Sequence, residues 1–259
     1  MLDHRRSLLL KTMGIAQWQR RDGGSITESV PEEIIPTEII PLEVIPVEAI
    51  SEPPQPVKVE VPVQREAPRP HVEDSWQCID YEVKQCTACD LHQTRTNTVL
   101  GVGNRQADWM IVGEAPGRDE DQQGEPFVGA AGLLLNQMLR AIGLKREQVY
   151  IANVLKCRPP NNRDPRPEEV TQCLGFLQRQ LDQVQPKMIL SVGRHSAQNL
   201  LKTEESVGRL RGAVHQFGDK KIPLIVTYHP SYLLRKPLEK RKAWADLQLA
   251  REIMNKARV

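Results

Sequence analysis

Trp109-Met-Ile-Val-Gly113, followed at once by Glu114-Ala-Pro-Gly117, is a short apolar run that ends in a turn rich in glycine and proline. Three further runs, at 149–153, 188–192 and 223–227, share its length and apolarity. Such runs are typical of parallel strands that are covered on both faces. Helical stretches are expected between and after them, at 130–142, 167–184, 194–201 and 240–256. The sequence therefore predicts an α/β fold, a three-layer αβα sandwich with a central four-stranded parallel sheet.

Polar residues follow the predicted strands at the points where the strands end. They are Glu114, Asn153, the pair Gly193-Arg194, and His229. In an open parallel sheet, ligands bind beyond the carboxyl ends of the strands. A carboxylate such as Glu114 at the end of a buried strand is costly unless it is used or hydrogen-bonded. The residues able to do chemistry are thus predicted to converge on one edge of the sheet.

Four of the five cysteines form two pairs, Cys86-x2-Cys89 and Cys157-x15-Cys173. The odd total and the lack of a secretory signal favour a reducing compartment, expected to be the cytoplasm, where paired cysteines more often bind metal than form disulfides. Tetrahedral thiolates suit either zinc or an iron–sulfur cluster, and the spacing does not choose between them. The fifth cysteine, Cys78, is expected to be a small buried core residue.

The chain is predicted to have three parts, at 1–21, 22–70 and 71–259. In the second part, prolines recur at 31, 36, 41 and 46, a period that opposes both helix and sheet. Ten carboxylates between residues 22 and 66 face only Lys58 and Arg65, and the chain beyond them has a net positive charge. The pattern predicts an extended, disordered tether before a basic domain, which is compatible with a polyanionic partner.

Two other readings follow from the cysteines. A zinc deaminase would use His71-x-Glu73 with Cys86-x2-Cys89, but the gap is too short for the strand between them and Gln85 stands where proline is expected. A non-enzymatic, zinc-stabilised module that binds nucleic acid stays open. No Walker loop and no G-x-G-x-x-G motif occur in the sequence, so a nucleotide cofactor lacks its fingerprint.

Several motifs, in order, resemble those of the iron–sulfur (family 4) uracil-DNA glycosylases, from about residue 76 to 255. The motifs are Cys86-x2-Cys89, Gly113-Glu-Ala-Pro-Gly117-Arg-Asp-Glu-Asp121, Pro126-Phe-Val-Gly129, Asn153-Val-Leu-Lys-Cys157-Arg-Pro-Pro160, Cys173 and His229-Pro-Ser-Tyr-Leu-Leu-Arg235. The resemblance implies a [4Fe–4S] cluster on the four paired cysteines. It also implies removal of uracil from DNA. The protein is expected to be a monomer with no membrane association. A related glycosylase acting on hypoxanthine or another deaminated base remains an alternative.

The same resemblance implies roles for individual residues. Phe127 would stack on the uracil and Asn153 would read its Watson–Crick edge, while His229 would donate a hydrogen bond to uracil O2. The remaining pocket residues would be Glu114, near the attacking water, with Gly113 and Gly117. An exposed wedge that enters the DNA would be formed by Leu233, Leu234 and Arg235.

The first part of the chain carries a separate resemblance. Arg5, Leu10, Met13, Ile15 and Trp18 are spaced as in the amino-terminal peptide of the psi subunit of bacterial DNA polymerase III, which binds the chi subunit. A tryptophan-bearing anchor on a long tether is typical of a docking peptide. The resemblance implies that this peptide binds chi and brings the catalytic domain to the replication machinery.

Overall fold

The structure, a computed structural model, describes residues 75–256. The expected docking peptide at 1–21 and the expected tether at 22–70 lie outside the described residues, so the three-part organisation stays a prediction. Within 75–256, no helix combines the length and the apolarity needed to cross a membrane.

Six strands form one sheet in the order β1-β3-β2-β4-β6-β5. Neighbours among β3, β2, β4 and β6 run parallel, and the two edge strands β1 and β5 are antiparallel to their neighbours. The strands are β1 (Val102–Gly103), β2 (Trp109–Gly113), β3 (Tyr150–Asn153), β4 (Met188–Val192), β5 (Val214–Phe217) and β6 (Ile222–Thr227).

Helices cover both faces of this sheet. They are α1 (Trp76–Gln85), α2 (Arg118–Gln123), α3 (Ala130–Ala141), α4 (Pro167–Val184), α5 (Arg194–Leu201), α6 (Val207–Leu210), α7 (Pro230–Arg235) and α8 (Lys240–Lys256). Short 3₁₀ turns lie at Asp90–Gln93, Arg146–Gln148, Pro160–Asn162 and Pro237–Glu239.

The central strands are buried on both faces, and alternate side chains enter two separate cores. Ile111 of β2 packs in the core that contains α3, α7 and α8. Its neighbours Met110 and Val112 pack in the core that contains α4, α5 and α6. This burial explains the nearly continuous apolarity of the strand sequences. The αβα sandwich and its four parallel strands are thus confirmed.

Several features differ from the sequence prediction, and the helices α1, α2, α6 and α7 are among the elements that were not predicted. The edge strands β1 and β5 were not predicted, because the first has two residues and the second is only partly buried. The expectation for Cys78 was wrong, since this residue lies half-buried on α1, where its Sγ donates to Glu82 Oε1 at 3.0 Å. Glu82 lies one helical turn after Cys78, so the two side chains meet on the same face of α1.

Candidate active site and cysteine centre

A cleft of about 420 Å³ opens at the carboxyl ends of β2, β3 and β6. This volume falls within the roughly 300–1,000 Å³ of small-molecule sites. The cleft brings together residues from five segments that are far apart in sequence. Its lining includes Glu114, Gly117, Phe127, Asn153, His229 and Arg235. Six of the residues predicted from the sequence therefore meet at one edge of the sheet.

Asn153 ends β3 with a side chain that is 2% exposed. Its Oδ1 is buried and has no hydrogen-bond partner within residues 75–256. Leaving a buried acceptor unpaired costs about 1–3 kcal/mol, so such an atom is usually explained by a ligand or by water. The amide is therefore suited to accept a hydrogen bond from an N–H group that enters the cleft.

Gly113 leaves the space in which the Asn153 amide and the Phe127 ring meet. A Cβ at this position would lie 2.3 Å from Asn153 Oδ1 and 2.7 Å from Phe127 Cζ. Any side chain at residue 113 would thus displace one of these two groups. The glycine at the end of β2 is required by this close approach rather than by its backbone angles.

Phe127 has a φ of 54°, a left-handed conformation that is strained for a bulky residue. Arg146 holds the strained segment, because its Nη1 donates to Phe127 O at 3.3 Å and its Nη2 donates to Pro126 O at 2.5 Å. On the other side, Gly132 of α3 is so close that a Cβ there would lie 1.8 Å from Phe127 O. These contacts fix the direction of the aromatic ring.

Glu120 organises the loops on either side of this ring. Its Oε2 accepts from Gly117 N at 3.1 Å, and its Oε1 accepts from Val128 N at 2.9 Å and Gly129 N at 3.1 Å. One carboxylate therefore joins the turn after β2 to the segment that carries Phe127. Charge-assisted bonds of this kind are about twice as strong as neutral ones.

His229 follows β6 as the N-terminal cap of α7. Ser231 N donates to His229 Nδ1 at 3.2 Å, and because an amide N–H can only donate, the proton of the neutral ring lies on Nε2. Burial, and then the positive charge of Arg235, lower the pKa of His229 to about 4. The ring centroid lies 5.5 Å from that of Phe127. The cleft therefore contains a neutral imidazole whose Nε2–H is a donor.

Glu114 lies at the other side of the cleft, next to charged groups from two further segments. Carboxylate and imidazole ligand atoms of Glu114, Asp164 and His195 all lie within 4.8 Å of one another. Burial raises the pKa of Glu114, His195 opposes this, and Asp164 raises the pKa further. Arg194 Nη2 donates to Asp164 Oδ2 at 2.6 Å, so the guanidinium of Arg194 places a positive charge beside the Asp164 carboxylate.

The four paired cysteines line a second, largely apolar cavity, together with Leu155 and Phe176. Cys86 follows α1, Cys173 lies in α4, and Cys157 lies in the loop after β3. Two donors already reach the sulfurs: Arg95 Nη1 donates to Cys157 Sγ at 3.1 Å and Lys156 N donates to Cys173 Sγ at 3.3 Å.

The electrostatics of this cavity fit a metal centre. Burial raises the pKa of Cys89, Cys157 and Cys173, to about 11 for Cys173, and neighbouring thiols of the set raise each of them further. Thiols in this position ionise together only when a cation takes up their charge. Four cysteines that line one apolar cavity provide the thiolate donors that zinc and iron–sulfur sites use.

Comparison with known proteins places the chain in a family. The model of the uracil DNA glycosylase superfamily matches residues 100–248, more than half of the chain. The chain belongs to this superfamily. It is 50% identical over 181 residues to a type-4 uracil-DNA glycosylase of Archaeoglobus fulgidus, a match that covers 68% of the chain and 91% of that protein.

Two further relatives with the same name are nearly as similar. The chain is 46% identical over 187 residues to the type-4 uracil-DNA glycosylase of Sulfurisphaera tokodaii, covering 70% of the chain and 85% of the relative. It is 43% identical over 188 residues to that of Thermotoga maritima, covering 71% and 97%.

One expectation about the glycosylase site needs correction. Leu233 is fully buried in the core beside α3 and α8, so it is not exposed as predicted. Leu234 is 44% exposed, and Arg235 lines the cleft. A helix presents successive residues on different faces, which is why the two leucines of α7 separate. Of the three predicted wedge residues, Leu234 and Arg235 therefore remain available for contact with DNA.

Sequence reasoning missed the residues that support this glycosylase pocket. Glu120 stands three residues after Gly117, at the position of the carboxylate in a capping box, and this half of the signal is present in the sequence, although glycine has no side chain to complete the box. His195 follows the predicted end of β4, which also places it near the cleft. Arg146 and Asp164 carry no local signal, because each reaches its partner from a distant segment.

Proposed function

We propose that this protein removes uracil from DNA. It extrudes the nucleotide from the DNA and hydrolyses the N-glycosidic bond, which leaves an abasic site in a first step of base-excision repair. The observation that supports this most directly is the buried, unpaired Asn153 Oδ1 beside the Phe127 ring, in a chain 41–50% identical to type-4 uracil-DNA glycosylases.

Asn153 selects the base by its hydrogen-bonding pattern. Its Oδ1 accepts from uracil N3–H and its Nδ2 donates to uracil O4. Cytosine presents an acceptor at N3 and a donor at N4, so both contacts would become repulsive. Phe127 supplies the flat surface on which the extruded ring stacks, and its fixed backbone keeps that surface in place.

His229 assists departure of the base. Uracil leaves as an anion while the sugar becomes oxocarbenium-like, so negative charge develops on O2. The Nε2–H of neutral His229 donates to this oxygen and stabilises the charge where it forms. One preorganised donor of this kind contributes about 3–4 kcal/mol, or roughly 100- to 1,000-fold in rate. Glu114, with the turn from Gly113 to Gly117, holds the water that attacks the sugar.

The proposed cofactor is a [4Fe–4S] cluster on Cys86, Cys89, Cys157 and Cys173. When bound, it would supply a structural link between the segment after α1, the loop after β3 and helix α4. An apolar cavity with four sulfurs supports this assignment. Purified protein should be brown, absorb near 400 nm and contain iron. A colourless protein with stoichiometric zinc would instead support the zinc alternative.

The remaining parts of the proposal concern partners. Leu234 enters the DNA at the space left by the extruded base, and Arg235 contacts the backbone. The protein acts as a monomer in the cytoplasm. Its amino-terminal peptide binds the chi subunit, which a pull-down with the Trp18→Ala variant as the control would test.

The deciding experiment is base release from matched oligonucleotides that carry uracil, cytosine, thymine or hypoxanthine at one position. Uracil alone should be released, with an abasic site as the other product. His229→Ala should lose roughly 100- to 1,000-fold in rate, as expected for loss of one preorganised donor. Iron-containing protein that leaves the uracil strand intact in every buffer would refute the proposal, and release of hypoxanthine alone would change the substrate.

A further inference from the structure

Lys156 is an unusual residue for the interior of this fold. Its side chain is 1% exposed, in the loop between β3 and Cys157. Its Nζ donates to Asn153 O at 2.7 Å and to Gln180 Oε1 at 2.6 Å. The orientation of the Gln180 amide is fixed, because its Nε2 donates to Leu100 O at 2.8 Å. Both acceptors of the lysine are therefore neutral oxygens.

Charge balance is what singles out this lysine. Within residues 75–256, no ion pair joins Lys156 to a carboxylate, and Lys156 lines the cavity of the four paired cysteines. An ammonium group that is buried without an anion is strongly destabilising. Neutral thiols do not compensate that charge. Cysteine thiolates bound to a metal centre do, since such a centre carries net negative charge.

The same residue also connects the two sites of the molecule. Its backbone N–H donates to Cys173 Sγ at 3.3 Å, and the next residue is Cys157. Its side chain holds the carbonyl of Asn153, whose own amide faces the cleft. The segment between them is tied to the cleft, because Leu155 N donates to Glu114 O at 3.0 Å.

We propose that Lys156 is the buried counter-charge of the cysteine centre and the link that holds Asn153 in register with it. The inference rests on the proposed function, since it assumes a metal centre on the cysteines and a base in the cleft. It assigns two separable tasks to one side chain. The positive charge stabilises the more negative form of the centre, and the hydrogen bond to Asn153 O positions the base-reading amide.

Two substitutions separate these tasks. Lys156→Met removes the charge and the hydrogen bond, whereas Lys156→Gln removes the charge but keeps an N–H donor. Lys84→Met is the matched control, because Lys84 stands two residues before Cys86 in the sequence but is exposed and paired with Asp80. All three variants are compared as metal-loaded, full-length protein.

The first measurement is the reduction potential of the centre, by voltammetry without DNA. Both Lys156 variants should be harder to reduce, by at least the tenfold in the equilibrium constant that corresponds to about 59 mV for one electron. They should also lose metal to a chelator at least tenfold faster, a readout that applies equally to zinc. The Lys84→Met control should match the wild type in both.

The second measurement is the affinity for free uracil, by calorimetry. Lys156→Met should bind about tenfold more weakly, as expected when one buried hydrogen bond is lost. Lys156→Gln should remain near the wild type. In wild-type protein stripped of metal with a chelator, uracil binding should weaken as well, which tests the link even if the Met variant does not fold.

Clear results would overturn this inference. Wild-type potential and metal-loss rate in the folded Gln variant would refute the counter-charge. Unchanged uracil affinity in the metal-free wild type would refute the link to Asn153. Failure of the proposed function is distinguishable, because it would appear in the wild type itself as purified protein without metal or without uracil release.

Discussion

Gly113→Ala is the substitution whose effect on the cleft follows most directly from distances. The added methyl group would lie 2.3 Å from Asn153 Oδ1 and 2.7–2.8 Å from two carbons of the Phe127 ring, where ordinary contacts are 3.4–4 Å. The amide or the ring must therefore retreat by about 1 Å. A misplacement of about 1 Å in a reacting site can lower the rate about 100-fold, which corresponds to about 2.7 kcal/mol of transition-state stabilisation.

The assay is single-turnover release of uracil from an oligonucleotide, with thermal unfolding measured in parallel. Gly175→Ala is the matched control, since this glycine lies on the exposed face of α4 with nothing within 4 Å of the added methyl group. The control should keep the wild-type rate and gain about 0.5–1 kcal/mol in unfolding free energy. A folded Gly113→Ala protein that releases uracil at the wild-type rate would refute the proposed packing of base, amide and ring.

Three further predictions concern His229, Arg146 and the two leucines of α7. Burial depresses the pKa of His229 from 6.5 to about 4, so between these values the unfolded chain binds a proton that the folded chain does not. The unfolding free energy should therefore fall by about 3 kcal/mol as the pH falls from 6.5 to 4, and His229→Asn should flatten this dependence in denaturant titrations. Arg146→Met should free the Phe127 backbone, because one to two charge-assisted hydrogen bonds are lost. The KM for uracil-containing DNA should therefore rise about tenfold. The visible absorbance of the protein should stay unchanged. Leu233→Ala should lower the unfolding free energy by about 2–5 kcal/mol, because this side chain is fully buried. Leu234→Ala should leave the unfolding free energy unchanged and slow base release. The reverse pattern would contradict the buried position of Leu233 and the exposed position of Leu234.

Local sequence patterns were sufficient for the central part of the fold. The strands β2, β3 and β4 and most of β6 are buried on both faces, which leaves a nearly continuous apolar run in each of them. The β5 strand carries a weaker signal, because its residues alternate between exposed and half-buried. The β1 strand has two residues, and nothing in so short a stretch separates a strand from a loop.

The sequence predicts the members of the candidate site only where the order and direction of the strands bring residues close together. Residues that directly follow parallel strands must meet at one edge, which brings Glu114, Asn153 and His229 together. The reach of Arg146 to Phe127 depends on how a loop before β3 packs on a loop before α3. The burial of Leu233 depends on the rotation of α7 about its axis. Neither quantity is encoded in the spacing of residues along the chain.

The unpaired oxygen of Asn153 has a consequence for turnover. Uracil presents the same N–H whether or not it is still joined to the sugar, so the cleft remains complementary to the free base after cleavage. Binding of the excised base also relieves the penalty of leaving this acceptor without a donor. We therefore expect product inhibition by uracil and slow departure of the base, which would keep the enzyme on the damaged strand after the bond is broken.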